Sequence, residues 1–139
     1  MLGAGEQVPF FEVTDSRGGR VAYRDVWQRK NLLVVVGPHH EPGFRRTVVD
    51  GLEARMTELT SRDTAVVMTA DAIEGLPNPG VLVADQWGEI FHVAPIELGG
   101  ADVDSADATH AAHAADAETL IEWLRYIQMQ CPECQGEAR

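Results

Sequence analysis

Cys131 and Cys134 are the only thiols in this chain, and two residues separate them. Such a pair can exchange with a disulfide, one thiolate attacking and the other resolving, or supply half of a tetrahedral zinc site. Its surroundings oppose an easily formed thiolate. Pro132 biases Cys131 away from helical angles, so a preceding helix is expected to stop there and turn its negative C-terminal end toward the pair. Glu133 and Glu137 add negative charge. Both influences raise a thiol pKa, whereas a reactive cysteine needs it lowered. A redox role, metal binding and no specific role all stay open. The segment 131–139 is read as a tail carrying Cys-Pro-Glu-Cys, able to reach a partner.

Histidines form two further pairs. His110 and His113 could add two ligands to the cysteines, but the intervening helix of roughly 14 residues spans roughly 20 Å at ~1.5 Å per residue. Only a site shared between two chains escapes that separation. His39 and His40 lie beside Glu41 in a Gly/Pro loop, where they could act as acid–base groups, as ligands or as simple capping contacts. That loop holds no cysteine, serine or lysine to serve as an obvious nucleophile. Asp102, Asp104 and Asp107 lack the glycine and terminal glutamate of a calcium loop. Trp27, Trp87 and Trp123 read as packing residues.

The elements that must position these groups follow from periodicity. Leu32 to Val36 is an apolar, β-branched run suited to a central strand buried on both faces. Pro42 then sits where a first helical turn tolerates proline, with Glu41 or His40 as N-cap candidates. Phe44, Val48, Leu52, Met56 and Leu59 recur at helical spacing, with Val49 widening the stripe. Thr64 to Ala70 is a second buried strand, so the strand–helix–strand unit predicts parallel strands and a right-handed crossover. Val8 to Thr14 and Arg20 to Tyr23 are expected as strands around the turn Asp15–Gly19, followed by a short helical connector over 25–30. Val81–Ala84 and Glu89–Val93 are expected as an antiparallel hairpin closed at Gly88. Residues 97–116 read as a flexible loop rich in Ala, Asp and His, and Ala117 to Gln130 as a last helix capped by Asp116.

Composition bounds what such a chain does. At 139 residues it is long enough for one domain with its own core, expected over 1–130. The net charge of −11 excludes non-specific binding to nucleic acid or to an anionic membrane. No stretch reaches the ~18 apolar residues of a membrane span. The N-terminus lacks a basic region followed by an apolar one, so a cytoplasmic location is the default expectation. Two closely spaced cysteines are too few for a secreted disulfide framework.

The order of strand, hairpin strand, strand, helix, strand, antiparallel hairpin and helix resembles the thioredoxin arrangement. Particular residues extend the likeness to its redoxin branch, which includes peroxiredoxins. Gly5, the run Val8-Pro9-x-Phe11-x-Val13-x-Asp15, and Gly19-x-Val21 resemble the branch's opening pattern. Asn31 to Val36 is similar to its central strand, and Pro79 followed by Val81–Asp85 and Gly88 to its proline–strand–Asp-x-x-Gly stretch. The resemblance implies a thioredoxin-like α/β fold, a mixed central sheet flanked by helices on both faces. It also implies a cis Asn78–Pro79 bond facing the active site. At that site the sequence departs from the pattern. Glu41 and Phe44 stand at the two cysteine places of the thiol oxidoreductase motif, and a one-residue shift in register finds no cysteine either. In the family a helix N-terminus lowers the pKa of a thiol at this place. Here no thiol is present to be activated.

The reading is a thioredoxin- or peroxiredoxin-like redox protein with a degenerate active-site loop. If it is an enzyme, it is a thiol-disulfide oxidoreductase working through Cys131 and Cys134 on a protein or small-molecule disulfide or thiol. One alternative is a non-catalytic module binding a protein or peptide in a groove of His39, His40, Glu41, Asn78 and Pro79. Another is a zinc-bridged dimer through the cysteine pair. No cofactor or resident metal is expected within one chain, and a homodimer is permitted.

Overall fold

A computed structural model describes residues 2–96 and 117–129. Its centre is the six-residue strand β3, Asn31–Val36, every residue of which is buried. β4, Thr64–Thr69, pairs parallel to it, with Leu33 opposite Val66 and Val36 opposite Thr69. β5, Gly80–Ala84, runs antiparallel on the other side, with Val36 opposite Gly80. β6, Ile90–Pro95, completes a mixed sheet of order β4-β3-β5-β6. A bulge between Val83 and Ala84 shifts the β5–β6 register, so that Val83 faces His92 and Ala84 faces Ile90.

Strand alternation divides the core in two. Leu33, Val35, Val81 and Val83 face one way and pack with Phe44, Val48, Leu52, Leu59, Leu120 and Leu124 from the helices. Leu32, Val34, Val36 and Leu82 face the other way and pack with Val8, Val13, Tyr23, Ile73 and Ile90. Each of these aliphatic side chains contributes about 1.5–3 kcal/mol on burial. The second face is covered by a hairpin of β1, Glu12–Thr14, and β2, Arg20–Ala22, and by a 3-10 turn over Tyr23–Asp25. Helical structure therefore lies on both faces, long on one and a single turn on the other.

The chain after β3 forms α1, Pro42–Phe44, a π-helical turn, Arg45–Val49, and α2, Asp50–Ala54. Arg55, at φ −114 and ψ 19, leaves the helical region, and α3, Met56–Ser61, restarts beyond it. This break corrects the single uninterrupted helix expected from periodicity. It also turns Met56 off the fully buried stripe, where Phe44, Val48, Val49, Leu52 and Leu59 remain. The last described helix, α4, Ala117–Met129, buries Leu120, Ile121, Leu124 and Ile127. Arg55, Arg62 and Arg125 converge on Glu58 at 2.7, 3.1 and 3.3 Å, tying α4 to α3, and Arg55, then Arg62, hold the Glu58 carboxyl below its usual pKa against its partial burial.

The opening strand is shorter than expected. Gln7 makes an isolated bridge to Glu89, but Pro9 has no N–H for a ladder and Phe10 is exposed, so the ladder with β2 begins only at Glu12. Residues 97–116, with His110, His113 and the Asp116 cap, and residues 130–139, with Cys131 and Cys134, lie outside the described residues.

Candidate functional site

The carboxyl end of β3 feeds a tight loop into α1. Gly37 N–H donates to Thr69 O at 2.9 Å and Glu41 N–H to Pro38 O at 3.0 Å. Glu41 is the N-cap, extended at φ −83 and ψ 125, and its exposed side chain makes no capping bond. Pro42 follows at the first helical position, where its missing N–H costs nothing. Arg45 clamps the loop from within the helix, donating from Nη1 to His39 O at 3.3 Å and pairing through Nη2 with Glu53 at 2.9 Å.

On the β5 side this junction is filled. The Phe44 ring is fully buried and lies against Gly37, where an added Cβ would stand 2.3 Å from the ring and 3.1 Å from Pro79. Glycine is required there by close approach alone. The Asn78–Pro79 bond is cis, and Pro79 O accepts from Ile96 N–H at 3.0 Å. Phe44 thus presents an apolar ring that, with Pro79, closes over Gly37.

On the β4 side the character changes. His39 is 5% exposed, and its ring meets that of Phe44 edge-on at 5.4 Å. Among the described residues neither ring nitrogen makes a hydrogen bond of good geometry, with only a weak contact to the Thr69 backbone. Burial lowers the His39 pKa, the Thr69 backbone opposes this in part, and the positive charges of His40 and Arg45 lower it further. The imidazole is therefore held neutral. A cavity of about 200 Å³ lies beside it, lined by Thr14, Asp15, Ser16, His39, His40 and Asp71. Its carboxylates are fixed by backbone. Asp71 accepts from Thr14 N–H at 2.8 Å, and Asp15 from Arg17 and Gly19 N–H at 2.9 and 2.8 Å.

The structure thus groups His39 and His40 with Asp15 and Asp71, whereas Asn78 and Pro79 do not line this cavity. Glu41 sits apart as an exposed anion at the start of α1. Periodicity had marked Phe44 as core but gave no sign of its place against Gly37 and Pro79. Asp71 lies 57 residues from the Thr14 amide it accepts, and no local signal announces that contact. Among the described residues, no group of three or more His, Cys, Asp or Glu is placed to hold a metal ion. None of their helices is long and apolar enough to cross a membrane.

No protein-family model and no curated protein matches the chain. Solved structures do match its backbone. The reduced 2-Cys peroxiredoxin of Plasmodium vivax superposes on 90% of this chain and 96% of its own, with TM-score 0.58 at 14% identity. Plasmodium yoelii thioredoxin peroxidase I covers 91% of this chain and 89% of its own, with TM-score 0.58 at 13% identity. A Chlorobium tepidum protein assigned as the thiol:disulfide interchange protein DsbE covers 81% and 99%, with TM-score 0.53 at 14% identity. The chain has the thioredoxin-like fold. It is similar in backbone to both peroxiredoxins and thiol:disulfide interchange proteins, at identities that establish the fold alone.

Proposed function

We propose that this protein is a thioredoxin-fold redox protein whose strand-end loop does no thiol chemistry, and that exchange passes through Cys131 and Cys134. One observation carries the first half. The two places that the resemblance sets against the cysteines of the thiol oxidoreductase motif hold an exposed carboxylate, Glu41, and a buried ring, Phe44, packed on Gly37. The second half rests on there being no other thiol in the chain and on the thiol chemistry named for the structural neighbours. In the proposed step, the thiolate of one cysteine attacks a sulfur of a partner disulfide and releases a partner thiolate. The second cysteine then breaks the mixed disulfide. Two electrons pass to the partner, whose thiolates take up the two protons, and Cys131–Cys134 is left oxidised. Insulin-disulfide reduction by wild type and by Cys131→Ser tests this. Activity well above background in the wild type alone is expected, and equal background rates overturn it.

A second reading is favoured by the unpartnered imidazole of His39 beside its cavity. In it the loop is a recognition surface for a protein or peptide, with Glu41 as a fixed anion. Under this reading His39→Ala or Glu41→Gln weakens a bound partner while the far-UV spectrum and unfolding cooperativity are kept. Unchanged affinity in both variants removes it.

A further inference from the structure

Among the described residues the sheet has an open edge at β4. The Asp63 and Thr69 carbonyls accept from β3 and its continuation, so the alternating groups of Thr64, Val66 and Met68 point outward. A neighbour begins to form there. Ser16 N–H donates to Met68 O at 2.7 Å, and Asp15 bridges antiparallel to Thr69. The chain then turns back at Gly18, φ +90, to start β2. Among the described residues no backbone partner meets the outward groups of Thr64 and Val66. Beside them lies a groove of about 340 Å³, walled by the Asp15–Arg17 turn, Lys30 and the α2–α3 face carrying Glu53, Met56 and Thr60.

The charges of this groove select an occupant. Its two acids are already engaged, Asp15 by the turn amides and Glu53 by Arg45 at 2.9 Å. Its two cations, Arg17 and Lys30, are exposed and make no ion pair among the described residues. They mark opposite ends of the open edge. Arg17 follows Ser16, which bonds Met68, and Lys30 precedes Asn31, which pairs with Thr64. Between them Met56 and Val66 are only partly buried. In a chain of net charge −11, two cations without ion pairs among the described residues, framing a mixed polar and apolar slot with free backbone groups, are a local reversal of sign.

We propose that the β4 edge is a docking site for an extended, acidic segment of a partner protein, which adds as a fifth strand beside Thr64–Met68. Backbone groups of Thr64 and Val66 supply the ladder, Met56 and Val66 receive an apolar side chain, and Arg17 and Lys30 pair with acids near the two ends. The site uses no cysteine and stands or falls apart from the redox reading.

The test titrates the full chain with labelled acetyl-Glu-Val-Thr-Val-Glu-amide and with the same peptide carrying lysine for glutamate. The acidic peptide binds, the basic one does not, and the Val66 amide gains protection from hydrogen exchange. Combining Arg17→Glu with Lys30→Glu weakens the acidic peptide about tenfold or more and admits the basic one. Absence of acidic-peptide binding at millimolar concentration overturns the proposal. So does a double variant that self-associates without changing peptide preference, since the two cations would then be guards of an edge kept empty.

Discussion

At the end of β3 two buried rings touch, and they have opposite chemistry. Phe44 is packed so closely that Gly37 has no room for a side chain. His39 lies edge-on to Phe44, also buried, with neither nitrogen in a good hydrogen bond among the described residues and a cavity beside it. The Phe44 side is complete in apolar contacts. The His39 side carries a polar group that the described residues do not satisfy, and natural cores rarely leave such a group without a reason. The junction is a packed core on one side and carries a poorly satisfied polar group on the other.

The comparison is broken most severely at Phe44. Phe44→Ala removes a fully buried ring, and urea unfolding should show a loss of about 3–5 kcal/mol. A loss under about 1 kcal/mol would mean that the ring is a loose plug and that the site beneath it opens readily. Gly37→Ala comes next. Its Cβ would meet the ring at 2.3 Å and Pro79 at 3.1 Å, so overpacking should cost about 1–3 kcal/mol by the same measurement. Combined with Phe44→Ala the glycine change should become far cheaper, because its main obstacle is gone.

Much of this fold is legible in the residues, because one-dimensional patterns carry it. The six buried residues of β3, the parallel pairing to β4 across a helix and the β5–β6 hairpin all follow from apolar runs and turn glycines. What periodicity cannot show is where a helix breaks or what lies across the sheet. Arg55 is an ordinary helix former, yet its backbone leaves the helix and takes Met56 with it. Tyr23 ends a short polar strand in the sequence but is 1% exposed beneath Phe10 and Phe11. The candidate site divides along the same line. The missing thiols and the loop histidines are sequence facts, whereas the joining of His39 to Asp15 and Asp71 depends on contacts between distant segments.

Smaller effects sharpen the contrast. His39→Leu exchanges an unsatisfied imidazole for an apolar group of similar size, so stability at neutral pH should hold or rise by about 1 kcal/mol. The pH dependence is more telling. A histidine whose folded pKa is lowered contributes stability that is complete above its ordinary value of 6.5 and is lost as pH falls below it. Wild type should therefore weaken from about pH 6.5 downward more steeply than His39→Leu in paired denaturant titrations. Parallel acid limbs would mean that the imidazole protonates freely and is not confined.

Tyr23 provides the smallest effect and the control. Its hydroxyl is also buried without a hydrogen-bond partner among the described residues, but it is closed in, lying 2.8 Å from where a Gly88 Cβ would stand. Burial, and then the Asp85 carboxylate, push its pKa up to about 12. The raised value means stability that is intact below the ordinary 10.0 and is lost as pH climbs through it toward about 12. Tyr23→Phe should leave neutral-pH stability within about 1 kcal/mol, on the stabilising side, and should flatten only that alkaline limb. If Tyr23→Phe and His39→Leu stabilise equally and neither alters any binding, the two unpartnered groups are the same kind of packing residue. If only the histidine change costs affinity for a partner, the cavity beside it is what separates them.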